Sequence, residues 1–342
     1  MPPTKGCQVL PPCSKVYQQQ FASKMKDFLT MKDLNEDTPF HILVQQKLEK
    51  EKFDQILKSF QVPDQDSLQD QICEALSSDD EQKETRMTAV GILECMKEKN
   101  ETKETPLHKA AKTGQTQFIE AILDLNRKSG SEVDSMLVQL LMEKDQNGNT
   151  PLHLATQRTK TSLGGTKEVA NILLTYIRDH TKDQMKYLTK KNSFGWTPFS
   201  GAVSGGDLEM VEEMLQELTE TERRVVVNQP DFSNTFPVHL AAKYGHVGVF
   251  KLLLDNKAEL NQRGRDFKTA LDIAIVYEHR MIIQTIIEAD EWMEAFQIPS
   301  TSDRGDLETP LRKLIRSLPD MAERFLDRCC EELPPDDKDS YL

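Results

Sequence analysis

A four-residue phrase that recurs along the chain constrains its fold more than any other feature. The phrase reads Thr38-Pro-Phe-His41, Thr105-Pro-Leu-His108 and Thr150-Pro-Leu-His153, with looser copies at Thr197-Pro-Phe-Ser200, Phe236-Pro-Val-His239, Thr269-Ala-Leu-Asp272 and Thr309-Pro-Leu-Arg312. Successive copies begin 67, 45, 47, 39, 33 and 40 residues apart. A phrase repeated at such intervals marks an array of small units, none able to bury its apolar side alone, so neighbours must stack. The 67-residue step leaves room for two units if the first phrase of one is lost.

The copy running from Asp231 to Ala258 shows why these residue types sit where they do. Pro237 suits the first turn of a helix, where its missing N–H breaks no bond. Ala241 and Ala242 let that helix lie close to its neighbours. Gly245 can take the left-handed conformation that ends a helix, and Val249, Leu252 and Leu253 then recur at the spacing of a second helix. A helical hairpin with one apolar side, at a 33-residue period, resembles the ankyrin repeat. The expected fold class is an all-α ankyrin-repeat solenoid of seven to eight helix-turn-helix units with finger loops, two of them enlarged. Those two lie at Asn126 to Glu143 and Arg178 to Lys191, each with apolar residues for an extra helical turn.

The expected organisation is a partly helical or disordered N-terminal segment at 1–36, degenerate ankyrin-like units at 37–104, repeats at 105–298, a terminal unit at 299–330 and an acidic disordered tail at 331–342. Within the degenerate region, Phe53, Ile56, Leu57 and Phe60 suit the second helix of the unit opened by Thr38. A helix is expected over Leu68 to Leu76 and a solvated loop over Ser77 to Glu84. Thr88-Ala-Val-Gly-Ile92 reads as irregular capping or a damaged copy.

Near the C-terminus, Glu291-Trp-Met-Glu-Ala-Phe296 is followed by Thr309-Pro-Leu-Arg-Lys-Leu-Ile-Arg-Ser-Leu-Pro-Asp-Met-Ala-Glu-Arg-Phe-Leu-Asp-Arg-Cys329. This stretch resembles the last ankyrin unit before the membrane region of TRP cation channels of the ankyrin-rich A subfamily. The resemblance implies part of the cytosolic arm of a homotetrameric, calcium-permeable, non-selective channel whose members respond to heat or irritants, with other channel subunits as partners. It also implies a role for reactive thiols, with Cys329 and Cys330 as candidates. Arg324, Arg328 and Lys338 would favour their thiolates while Glu331 and Glu332 oppose them, and the residues favour reading Cys329 as a small packed residue at a helix end.

Composition removes other classes. With 43 Lys+Arg against 56 Asp+Glu and a net charge of −13, the chain lacks the basic balance that binds nucleic acid. No run of 18 apolar residues occurs, so direct membrane insertion is not expected. Met1-Pro-Pro-Thr-Lys-Gly-Cys lacks a secretion-signal layout, which makes the cytoplasm, or the cytoplasmic face of the plasma membrane for a channel arm, the expected location. Six cysteines without a Cys-x-x-Cys pair suggest free thiols.

The phrase histidines His41, His108, His153 and His239 are spaced as packing and hydrogen-bonding groups, not ligands, and His180, His246 and His279 complete no zinc pattern. Asp145-x-Asn147-x-Asn149 lacks the Gly and Glu of a calcium loop. With no phosphate loop or nucleophile elbow, no catalytic residue, metal or cofactor is expected. The expected activity is protein binding through fingers and the concave face of the first helices, with Asn147, Phe194, Trp196 and Phe232 as candidate contacts. Trp196 and Phe232 are equally readable as rings packed between neighbouring units. A stand-alone cytosolic ankyrin adaptor is the alternative to a channel arm.

Overall fold

The computed structural model describes residues 24–46, 48–59, 89–125, 131–157, 166–181, 183–297, 299–301 and 307–332. The helix expected at Leu68 to Leu76 and the loop after it lie outside those residues. The chain divides into two compact units, Met1–Gln146 and Asn147–Leu342.

In the first unit, helix α1 spans residues 24–29 and α4 spans 89–95. Between and after them come α2 (Pro39–Gln45), α3 (Lys50–Ser59), α5 (Pro106–Thr113), α6 (Thr116–Asp124) and α7 (Ser131–Met142). Helix α2 lies directly on α5, and α3 on α6. The hairpins opened by Thr38 and Thr105 are therefore immediate neighbours. Between them, Phe40, Phe53, Leu107, Phe118, Ile119 and Ile122 are fully buried. Phe53 meets Phe118 edge to face, centroids 5.5 Å apart, the favoured geometry for two ring quadrupoles.

The second unit repeats the hairpin five times. First helices α8 (Pro151–Thr156), α11 (Pro198–Gly205), α14 (Pro237–Tyr244), α16 (Ala270–Val276) and α19 (Pro310–Ser317) stack in sequence. So do second helices α9 (Thr166–His180), α12 (Leu208–Gln216), α15 (Val247–Asp255), α17 (Arg280–Glu288) and α20 (Pro319–Glu332). The buried residues Met210, Val211, Met214 and Leu215 on α12, and Ile282, Ile283, Ile286 and Ile287 on α17, form single apolar stripes at helical spacing. Small residues bring the first helices close. Gly201 on α11 faces Thr156 so closely that a Cβ would lie 2.8 Å from its Oγ1.

Steps longer than 33 residues are filled by extra helices. The two enlarged connections carry α7, which spans three turns where one was expected, and α10 (Gln184–Leu188). A shorter one carries α13 (Glu220–Val227), started by a capping box in which Thr219 N–H and Oγ–H donate to Glu222 Oε2 at 2.9 and 2.7 Å. Its Val226 and Val227 are buried. The stretch read as irregular at Thr88 contains α4, whose Ile92 and Leu93 are also buried.

The last hairpin follows α18 (Trp292–Gln297) and a two-residue antiparallel pair, β1 (Ser300–Thr301) with β2 (Leu307–Glu308). Phe325 of α20 stacks on Phe296 at 4.1 Å and meets Trp292 at 5.4 Å. Helix α20 continues to Glu332, past the expected start of the acidic tail.

Helix-ending glycines do a second job between hairpins. Gly206 has φ +74°, and a Cβ on it would lie 2.5 Å from the His246 ring. That ring bonds back to Ser204 O at 3.1 Å. Gly206→Ala is thus strained in its backbone and displaces the histidine of the next hairpin. It should lower stability by about 2 kcal/mol in thermal or urea unfolding, and a wild-type melting curve would refute this account of the junction.

Candidate functional site

The phrase builds a relay between neighbouring hairpins. In each copy that ends in histidine the backbone N–H at its first residue donates to the histidine Nδ1: Thr38 to His41 at 3.1 Å, Thr105 to His108 at 3.2 Å, Thr150 to His153 at 3.1 Å and Phe236 to His239 at 3.3 Å. A ring nitrogen that accepts cannot carry a proton, so the proton sits on Nε2. That Nε2 faces a carbonyl of the following finger: Glu104 O at 2.8 Å from His41, Trp196 O at 3.0 Å from His153, and Gln262 O at 3.1 Å from His239. Each imidazole therefore works only when neutral.

The surroundings enforce neutrality. Burial holds His41 below the ordinary imidazole value and pushes His239 down to about 4. The packing role expected for the phrase histidines is what the structure shows. Beside the relay, burial pushes the Asp37 carboxyl up, but hydrogen bonds from Lys109 at 2.6 Å and Asn100 at 3.0 Å outweigh it and leave Asp37 below its ordinary value. Asn100, within a glycosylation-like triplet, is buried with its amide spent on that bond.

Three hairpins carry another residue at the histidine position, namely Ser200, Asp272 and Arg312. Ser200 replaces histidine after Thr197, and its Oγ accepts from Thr197 N–H at 2.9 Å without reaching the next unit. Asp272 replaces it after Thr269, where Oδ2 accepts from Thr269 N–H at 3.0 Å. A carboxylate has no proton to offer the next hairpin, so the donor comes from the other side: Lys313 Nζ reaches Asp272 Oδ1 at 2.9 Å, with 10% and 1% of the two side chains exposed.

The candidate contact residues lie on finger turns. Phe194 is 61% and Phe232 68% exposed, Asn147 is exposed, and Trp196 is half-buried with its carbonyl held by His153. The structure brings Phe194 and Phe232 onto adjacent turns, with Phe232 seated against Gly195. The sequence reading did not single out Phe267, 64% exposed on the next turn. Its signal was the five-residue turn Gly264 to Lys268, which matches Asn192 to Trp196. Of the candidate thiols, Cys330 is exposed and Cys329 partly buried on α20, while Cys95 is buried and pushed up to about 11 by desolvation. Among the described residues, no three His, Cys, Asp or Glu side chains gather as a metal site requires.

Two tests follow from the relay. His239 titrates near 6.5 when unfolded and near 4 when folded. Below pH 6.5 the unfolded chain takes up a proton that the folded chain refuses, so stability falls with acidification by about 3 kcal/mol by pH 4. His239→Gln should flatten unfolding free energy against pH over that window, and an unchanged slope would contradict the neutral-ring assignment. Lys313→Met should cost about 3 kcal/mol or more by stranding a buried carboxylate, and the Asp272→Asn/Lys313→Met double variant should recover most of it.

A family model for ankyrin repeats matches residues 69–184, 164–264 and 223–294. The transient receptor potential cation channel subfamily A member 1 homolog of Caenorhabditis elegans is 28% identical over 242 residues, covering 68% of this chain and 17% of that protein. The transient receptor potential cation channel subfamily A member 1 of Homo sapiens is 30% identical over 152 residues, 44% of this chain and 12% of its own length. Ankyrin repeat domain-containing protein 13C of Danio rerio is 35% identical over 88 residues, 26% of this chain and 15% of its own length. The chain spans less than a fifth of each of these relatives. From the stacked Pro-initiated hairpins, their histidine relay and the family match over most of its length, the chain belongs to the ankyrin-repeat proteins.

Proposed function

We propose that this chain is a non-catalytic protein-interaction scaffold and part of the cytoplasmic ankyrin arm of a calcium-permeable cation channel of the TRP A subfamily. The observation that carries this reading is the extent of the similarity to the Caenorhabditis elegans channel homolog, 242 residues and 68% of the chain. The final hairpin, with its Trp292, Phe296 and Phe325 cluster, supports it by giving the resembling C-terminal stretch a defined place at the end of the stack. No helix among the described residues is long and apolar enough to cross a membrane, so conduction requires spans from other segments. Channel subunits are the partners this reading names, with Asn147, Phe194, Trp196 and Phe232 as contacts and Cys330 as the more accessible thiol for electrophiles.

A stand-alone cytoplasmic ankyrin adaptor is the second reading. The similarity to ankyrin repeat domain-containing protein 13C favours it, but reaches only 26% of the chain.

The test has two arms. Sequencing of the full transcript should reveal apolar runs long enough to span a bilayer downstream of the codon for Leu342, and a transcript without them defeats the channel reading. Co-expressed, tagged TRP A-subfamily subunits should capture the chain, and Phe194→Ala/Phe232→Ala should weaken capture at least tenfold without lowering the melting temperature. Capture that ignores both rings would remove the fingers from the interface.

A further inference from the structure

We infer that the fingers preceding α11, α14 and α16 form a basic, aromatic strip that holds an extended acidic peptide with apolar side chains at every third position. The inference rests on the scaffold reading and names the chemistry of the partner.

The three turns are built alike and set side by side. Each closes with the same backbone bond: Asn192 N–H to Trp196 O at 2.9 Å, Asp231 N–H to Thr235 O at 3.0 Å, and Gly264 N–H to Lys268 O at 2.8 Å. Phe232 sits against Gly195, where a Cβ would collide with it. Asn234 Nδ2 bonds to Arg263 O at 2.5 Å. These contacts hold Phe194, Phe232 and Phe267 on consecutive tips, each more than half exposed.

Phe267 supplies a separate observation. The left-handed position of the turn is taken by Gly195 (φ +83°) and Asn234 (φ +58°) in the first two fingers, residue types that tolerate it. In the third finger Phe267 occupies it at φ +57°. A bulky ring there strains the backbone, and its exposure means that packing within the chain does not offset the strain. Strained, exposed aromatic positions of this kind are characteristic of binding sites.

The flanking charges select the ligand. Lys190, Lys191, Arg263, Arg265 and Lys268 flank the three phenylalanines in sequence. Lys191 Nζ lies 5.6 Å over the Phe232 ring. Among the described residues, Lys190, Arg263 and Arg265 make no ion pair, although Arg263 donates to Pro299 O at 3.3 Å. Two acids lie among them: Asp266 precedes Phe267 in sequence, and Asp231 accepts from Ser233 and Thr235 N–H at 2.8 and 2.7 Å, which leaves five cations against two carboxylates. A cationic strip on a chain of net charge −13 complements a locally acidic partner. A long phosphate backbone would also meet the repulsion of the rest of the chain, which favours a peptide over nucleic acid.

Spacing sets the ligand's pattern. Neighbouring hairpins stand roughly 10 Å apart, the distance between packed helices. An extended polyproline-like peptide brings residues i and i+3 to the same side about 9 Å apart. Apolar side chains at that interval can each meet one finger ring.

The experiment uses the whole chain and a fluorescein-labelled peptide of roughly ten residues, Asp and Glu with Leu at every third position, followed by anisotropy. Binding is expected to weaken with salt, and to be lost when Leu becomes Ser or the acids become Lys. Phe267→Asn and Arg265→Glu should each weaken it about tenfold. Because asparagine tolerates the left-handed turn, Phe267→Asn should raise the melting temperature while affinity falls, which a folding defect cannot do. Equal binding of the lysine peptide, preference for a single-stranded oligonucleotide, or indifference to Phe267→Asn overturns the inference. If capture of channel subunits depends on Phe194 and Phe232 while the acidic peptide ignores Phe267 and Arg265, this inference fails and the scaffold reading stands. If capture fails and the peptide still binds as described, the channel assignment fails and the strip remains.

Discussion

An imidazole that accepts a hydrogen bond from its own hairpin on Nδ1 and donates one to the next hairpin from Nε2 joins the local fold of each unit to the stacking of the array. Acceptance at Nδ1 requires the neutral ring, and a group that only donates or only accepts could not make both bonds. Burial supplies that neutrality, most fully at His239, whose ring is driven down to about 4. A stack of hairpins buries apolar area without specifying register, since any two apolar stripes attract. The directional bonds from His41 to Glu104, His153 to Trp196 and His239 to Gln262 add that register.

The exceptions obey the same chemistry. Asp272 satisfies its own hairpin as an acceptor but cannot donate forward, so the final hairpin sends Lys313 back to it and closes a buried ion pair. Breaking such a pair from one side leaves an uncompensated charge, whereas removing both sides does not. The glycines and histidines at the other end of the first helices form a parallel set of contacts, His246 over Gly206 and His279 over Gly245. Two sets of junctions at opposite ends of a short helix restrain how one hairpin can rotate on the next.

Much of this was legible in the chain because repetition amplifies weak signals. One Thr-Pro-Leu-His phrase means little, but seven related copies each followed by a helical apolar pattern leave few alternatives. The extra helix α13 escaped notice although Thr219 and Glu222 spell a capping box, since eight helical residues between two strong hairpins read as a loop. The surplus between Thr38 and Thr105 was ambiguous because spacing counts residues and not neighbours. Contact of α2 with α5 makes the hairpins opened by Thr38 and Thr105 neighbours. Phe194 and Phe232 could be named as turn aromatics, but a pattern in one dimension cannot tell a ring in solvent from a ring wedged between units.

By itself, the sequence determined the helical hairpins opened by each phrase and the need to stack, because these follow from local periods of 3.6 residues, proline and glycine conformations and the repetition of one apolar side. The tertiary structure decided which hairpins are neighbours, which carbonyl each histidine Nε2 reaches, how Lys313 finds Asp272, and that Phe194, Phe232 and Phe267 stand together on exposed tips. Those outcomes depend on distances between residues 23 to 63 positions apart, and only the accumulated packing of the helices between them fixes such distances.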